Sequence, residues 1–274
     1  MKNLRYIGAV MLAGFGLLAA ACDTVEKDDY KTDYTGPISS ERKVLLEDYT
    51  GVRCVNCPTA AAEIERLQEF YGDNIIVVGV YPMQPTGLTQ PWDPNRDLRS
   101  SVAQTWATEF AIEQFPNGMV NRQEVIGYQE WGGAIAEVIS GGINYVDLSL
   151  TANMSTDSTI AVSVEGSFVE NYEADGAVNL ITMVLEDSIV APQTTPTGVN
   201  GNYVHNHVLR AVLGPEWGSQ VASEAPTRGT TFSTSLSGTV DKAWRTNKLS
   251  VVAAVVNANS REVIQVEIVH LGDE

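Results

Sequence analysis

Lys43-Val44-Leu45-Leu46-Glu47-Asp48-Tyr49, followed by Thr50-Gly51-Val52-Arg53-Cys54-Val55-Asn56-Cys57-Pro58, is the stretch that decides the reading of this chain. Its apolar first half predicts a strand. Pro58 predicts the opening of a helix, because proline lacks an N–H that a first turn leaves unpaired anyway. Thr59 to Tyr71 continues that helix, with Ala62, Ile64, Leu67 and Phe70 or Tyr71 near helical spacing. The paired cysteines therefore sit between a strand and a helix N-terminus, where unpaired N–H groups and the helix dipole favour negative charge and lower a thiol pKa. Cys54 reads as a nucleophile. Cys57, one helical turn on, can resolve a mixed disulfide within the same loop, which is the chemistry of thiol–disulfide exchange. Two duller readings compete. Half of a zinc site would need two further ligands, whereas the chain holds three cysteines in all and three histidines, none in a zinc-ligand pair. A purely structural Cys54–Cys57 bridge stays open.

Outward from this stretch the pattern first mixes strands and helices. Ile75-Ile76-Val77-Val78-Gly79-Val80 is a continuous apolar strand, and strand, helix, strand of this length predicts a right-handed parallel unit. Residues 82–98, rich in Pro, Thr, Asp and Asn, predict an inserted loop. A helix from about Leu98 to Glu113, the run Phe115-Pro116-Asn117-Gly118, a short strand Met119–Asn121 and a helix from about Tyr128 to Ser140 follow. Past Gly141-Gly142 the helices stop. Val146–Met154, Thr159–Val169, Ala177–Asp187, Tyr203–Leu213, Thr231–Val240, Leu249–Asn257 and Glu262–Leu271 read as strands, with Asn257-Ala258-Asn259-Ser260 closing the last hairpin. The expected fold is an α/β domain over 41–142 followed by an all-β antiparallel sandwich over 143–274.

The third cysteine belongs to a different feature. Met1 to Leu18 has a charged start and an apolar run too short to span a membrane, and Ala19-Ala20-Ala21-Cys22 follows. This is the form of a secretory signal over residues 1–21, and the small residues before Cys22 resemble the lipobox of bacterial lipoproteins, which makes Cys22 the expected lipidated residue. An ordinary secretory cut after Ala21 is the alternative, and either places the chain where disulfides persist. Residues 22–40, with Asp23, Glu26, Lys27, Asp28 and Asp29, predict a flexible acidic tether. Lys27-Asp28-Asp29 also resembles a signal for the outer face of the outer membrane, with the periplasmic face as the competing location. Loss of residues 1–21 removes Lys2 and Arg5 and moves the formal charge from −17 to −19. That balance argues against nucleic acid as a partner.

The first half resembles the thioredoxin superfamily in more than cysteine spacing. Asp48 precedes Cys54 at the offset where thioredoxins carry a buried acid that moves protons at the resolving cysteine. Phe115-Pro116 falls where that fold places a cis-proline, which makes Pro116 the candidate for shaping a peptide-binding edge. The departures are Arg53 in place of Trp, and Val55-Asn56 in place of Gly-Pro. Arg53 is expected to lower the thiolate pKa if its side chain turns toward the sulfur. A resemblance over nearly the whole mature chain rests on Glu47-Asp48-Tyr49-Thr50-Gly51, Cys54-Val55-Asn56-Cys57-Pro58 and Tyr203-Val204-His205-Asn206-His207-Val208-Leu209-Arg210. These look like the outer-membrane lipoprotein family of the twenty-eight-kilodalton type. That resemblance implies a thioredoxin-like domain, a β-rich domain and an outer-membrane location with a lipid anchor on Cys22. It supplies no settled substrate, and an adhesin-like role competes with a redox one.

His205 and His207, two apart on an expected strand, face one side and could hold a metal with His270 or a carboxylate. The favoured reading is support for a loop or domain interface, so no metal and no cofactor is expected. Trp92, in the Pro-rich insertion, is the tryptophan expected to line a substrate groove. No Gly-x-Ser-x-Gly, phosphate-binding Gly-rich loop or His-Glu-x-x-His occurs. The leading expectation is thiol–disulfide exchange on extracytoplasmic proteins through Cys54, Cys57, Asp48 and Pro116. The alternatives are a surface binding or adhesion lipoprotein with a structural Cys54–Cys57 bridge, and an accessory subunit of an envelope complex.

Overall fold

Strand β1 (Val44–Tyr49) is the axis of the molecule, buried along its whole length. The structure, a computed structural model, describes residues 42–155 and 158–272. Cys22, the signal segment and the tether lie outside the described residues. Helix α1 (Cys57–Tyr71) follows β1, and β2 (Ile75–Val80) returns parallel to it, from Val44 opposite Ile75 to Tyr49 opposite Val80. The inserted segment carries a short α-helix, α2 (Thr86–Thr89), and a 3-10 turn (Pro94–Arg96), and leads to α3 (Ser101–Glu109). Helix α3 is shorter than its periodicity predicts. The Ser100 hydroxyl caps it by accepting from Ala103 N–H, and Ala111 takes a left-handed φ of 51° just past its end. Strands β3 (Asn117–Val120) and β4 (Val125–Ile126) add antiparallel on the other side of β1, and α4 (Trp131–Gly141) completes this part.

The remaining strands are β5 (Val146–Met154), β6 (Thr159–Phe168), β7 (Val178–Glu186), β8 (Ile189–Thr195), β9 (Gly198–His205), β10 (Val208–Leu213), β11 (Ser219–Ala222), β12 (Thr231–Thr239), β13 (Leu249–Asn257) and β14 (Val263–His270). They do not form a sheet system of their own. The large sheet runs β14-β13-β7-β10-β2-β1-β3-β4, with β11 pairing β7, so strands from both sides of Gly142 share it. The join is narrow: β10 meets β2 in parallel at Val208 opposite Gly79, and Gly79 N–H donates to His207 O at 2.7 Å. A sandwich forms where the second sheet, β12-β6-β5, covers the far half of the large one. Val146, Ile160, Val164 and Phe168 there pack with Val184, Val251 and Val255.

Alternation along β1 separates two further cores. Val44 and Leu46 face α1 and α4, meeting Ile64, Leu67, Trp131 and Ile135. Leu45 and Tyr49 face α3, meeting Trp106 and a run of strand residues that includes Met183 and Val252. Gly118 on β3 is required by this packing. A Cβ there would sit 2.5 Å from Glu47 O and 2.7 Å from the Trp131 ring.

Two strand expectations need correction. Tyr203–Leu213 is not one strand: β9 ends at His205, β10 begins at Val208, and His207 takes a left-handed φ of 57° between them. The β8–β9 hairpin is a separate two-stranded sheet, and its first strand lies in a stretch for which the sequence pattern predicts none.

Candidate dithiol site

Cys54 and Cys57 are joined by a disulfide with Cα atoms 5.4 Å apart. Cys57 is the first residue of α1, and Pro58 occupies the first turn. Cys54 lies in the preceding turn, closed by its N–H donating to Gly51 O at 3.0 Å. The turn is held from two sides. On one side the insertion folds back. Arg53 N–H donates to Leu88 O at 2.8 Å and its side-chain Nε to Gln90 O at 2.7 Å, while the guanidinium lies 3.9 Å over the Trp92 ring. Trp92 Nε1 reaches Val52 O at 3.4 Å. Arg53 is thus tied to the insertion, and Trp92 stands at the rim of the dithiol turn.

The second side is the hairpin. Gln193 Nε2 donates to Cys54 O at 2.9 Å and to Gly51 O at 3.3 Å, and Thr194 N–H donates to Val52 O at 2.9 Å. No local signal marks Gln193, which lies 139 residues from Cys54.

Beneath Cys57 is a cavity of about 80 Å³, lined in part by Asp48, Tyr81, Gln193, Tyr203, His205 and His207. Asp48 is 5 % exposed, and its Oδ1 has no hydrogen-bond partner among the described residues. Burial without a compensating cation disfavours the carboxylate and pushes its pKa up to about 7. His205 is held neutral by the opposite effect of the same cause, with a pKa of about 4. Its tautomer follows from its partners. The Ala191 carbonyl, 3.3 Å from Nε2, can only accept, so Nε2 carries the proton and Nδ1 accepts from the Tyr81 hydroxyl at 3.0 Å. His207 instead meets Asp187 and Gln68. The two histidines therefore do not present one face of a strand, and among the described residues no group of three metal-ligating side chains occurs.

Phe115–Pro116 is a cis peptide. Because Asn117 pairs with Tyr49, Pro116 lies at the end of β1 from which the dithiol turn departs. Gln84–Pro85, just before α2, is cis as well.

The outer membrane protein Omp28 family matches residues 103–274. The chain belongs to this family. Membership associates it with the outer membrane, and no helix among the described residues is long and apolar enough to cross one. The matched span begins after the dithiol, so the family match and the cysteine site are separate observations. No curated protein matches the chain. Among solved structures, HBP35 of Porphyromonas gingivalis is similar over 85 % of this chain and 76 % of its own, with a TM-score of 0.66 and 18 % identity. Protein AGR_C_4864 from Agrobacterium tumefaciens covers 85 % and 96 %, with a TM-score of 0.54 and 15 % identity. A domain of the outer membrane lipoprotein Omp28 from Porphyromonas gingivalis covers 47 % and 89 %, with a TM-score of 0.34 and 20 % identity. At these identities the first two speak for the fold alone.

Proposed function

We propose that this Omp28-family protein is a thiol–disulfide exchange protein of the outer membrane, lipid-anchored through Cys22 and built on a thioredoxin-like unit over 41–142 that a β-rich part over 143–274 completes. The strand order β2-β1-β3-β4, the dithiol at the start of α1 and the cis bond at Pro116 support the thioredoxin-like reading. The observation that carries the function is Asp48. A buried carboxyl without a partner is costly, and a structural bridge has no use for one that titrates near neutrality beside Cys57.

The reduced Cys54 thiolate attacks one sulfur of a substrate disulfide. That bond breaks, the other substrate sulfur leaves as a thiolate, and a Cys54–substrate disulfide forms. Cys57 passes its proton to Asp48 and attacks Cys54 Sγ, so the substrate's second sulfur leaves and the Cys54–Cys57 disulfide forms. The substrate gains two electrons and the dithiol loses two. Run backwards from the disulfide, a protonated Asp48 supplies the proton that the leaving Cys57 thiolate takes up.

The test is exchange with a protein disulfide across pH. Asp48→Asn should slow the step by about 10²-fold at neutral pH and erase an inflection near the Asp48 pKa. A wild-type rate no better than free dithiol, with an ordinary Cys54 thiol pKa and a reduction potential below about −300 mV, overturns the proposal. The second reading, a surface binding protein stapled by a structural disulfide, is favoured by one fact: Cys54 is only 3 % exposed.

A further inference from the structure

Cys54 is buried together with Gly51, Val52 and Cys57, between the insertion on one side and the β8–β9 hairpin on the other. Its neighbours Val55, 43 % exposed, and Asn56 are exposed, so the chain reaches the surface immediately after Cys54. Above it lies β8, whose Thr194 N–H and Gln193 amide take up the carbonyls of Val52, Gly51 and Cys54. Gln193 is 3 % exposed and its amide grips both ends of the turn. Beyond this grip the hairpin is held by the Tyr81 hydroxyl on His205, by Arg96 on the Val190 carbonyl and by Ile189 against Val52 and Tyr81. It joins neither large sheet, and within its two strands only Ala191, Gln193 and His205 are buried. Its far end, Gly198 to Asn202, is exposed throughout. An isolated two-stranded hairpin is marginal in water, and segments with few buried apolar contacts open far below the global unfolding free energy. Lifting β8 uncovers one side of the turn that carries Cys54.

On the reading of the dithiol as an exchange site, we infer that β8 holds the place of a substrate strand, that Gln193 is its latch, and that the substrates are extended polypeptide segments able to take over the Val52 carbonyl when the hairpin lifts. An extended backbone presents N–H groups at strand spacing, as β8 now does. Gln193 is a positioning residue: it fixes the dithiol turn and sets access without touching the reacting sulfurs.

Three measurements test this. Gln193→Ala removes two hydrogen bonds to the turn, so alkylation of reduced Cys54 by iodoacetamide should quicken about 10-fold, with only a small drop in the thermal midpoint. In the wild-type disulfide form, the Thr194 amide should exchange with solvent by local opening, far faster than the Leu46 amide in β1. A Thr194 amide as protected as Leu46, together with an unchanged alkylation rate in Gln193→Ala, overturns the cover. For the substrate class, reduced Cys57→Ser is mixed with a synthetic linear peptide bearing a cysteine–thionitrobenzoate disulfide. The Cys54 thiolate attacks the peptide sulfur, thionitrobenzoate leaves as its anion, and the mixed disulfide persists because no resolving thiol remains. Protection at Thr194 should then vanish as the peptide replaces β8; protection retained in that adduct overturns the substrate-strand assignment. If Gln193→Ala speeds alkylation while neither form exchanges protein disulfides, the cover stands and the exchange function falls.

Discussion

Glu47 and Asp48 are adjacent on β1, both are buried, and they point to opposite faces of the sheet. Glu47 faces α3. There the Arg122 guanidinium donates to both its oxygens, at 2.7 and 2.9 Å, and lies 4.4 Å over the Trp106 ring. Asp48 faces α1, where it meets a small cavity of mixed polar and apolar lining and no cation. Two carboxyl side chains on one strand therefore end as different things. The partner, more than the burial, decides whether such a group is part of the scaffold or a titrating element of a site. One side of β1 is closed by an ion pair; on the other, next to a disulfide, the buried acid has no charged partner.

Breaking the closed side should have the largest effect. Arg122→Leu leaves Glu47 buried and unpaired, and urea unfolding at neutral pH should show a loss of about 3–5 kcal/mol. Replacing Glu47 with Leu as well should restore most of it, because an apolar pair removes both charges. A single replacement costing under about 1 kcal/mol would mean that the Glu47 side is as adaptable as the Asp48 side.

The open side responds to pH instead. Folded Asp48 keeps its proton up to about pH 7, whereas the unfolded group loses it near 3.8, so wild-type stability falls as pH rises between those values. The full penalty above pH 7 is on the order of 4 kcal/mol. Asp48→Asn removes it, so the variant should gain on the wild type by that order between pH 4 and pH 8 in urea unfolding. A constant difference across that range would show that Asp48 does not titrate as described.

His205 supplies the opposite slope. Its folded pKa of about 4 lies below the unfolded value of 6.5, so its stabilising contribution is present above 6.5 and is lost as pH falls toward 4, by about 3 kcal/mol. Between pH 4 and 6.5 the two slopes oppose each other, and wild-type stability should be nearly flat there. Asp48→Asn should expose a rise with pH, and His205→Gln a fall. If the wild type already slopes steeply across this window, one of the two groups has the wrong environment here.

The sequence showed the Asp48 side more clearly than the Glu47 side. The strand, the dithiol and the helix after it are local, and the buried acid came from its fixed offset to Cys54. Glu47 gave no such signal, because its partner Arg122 is 75 residues away and only the β1–β3 pairing brings them together. The hairpin was hidden for a different reason. Pro192, Gly198, Asn200, Gly201 and Asn202 are poor strand formers, and the two strands pair with each other while the dithiol turn and Tyr81 anchor them. Strand parity at His205 and His207 failed at one left-handed residue. The shared sheet was equally unreadable, since it depends on one contact at Gly79.

The smallest expected effect separates the two sides most sharply. Gly51 lies just past β1, and a Cβ there would meet the Leu88 carbonyl well inside van der Waals contact. Gly51→Ala must therefore push the insertion off the dithiol turn, loosening the bond from Arg53 N–H to Leu88 O. Overpacking of this kind costs about 1–3 kcal/mol, at the low end where one neighbour is a surface segment that can yield. The Arg122–Glu47 pair lies on the other face of β1 and should not feel that displacement. Hydrogen exchange should show faster opening at Arg53 with unchanged protection in β3, and the dithiol potential should move while the midpoint of unfolding moves little. Loss of protection in β3 as well would mean that the two faces of β1 yield together, and that the division between scaffold and site is not mechanical.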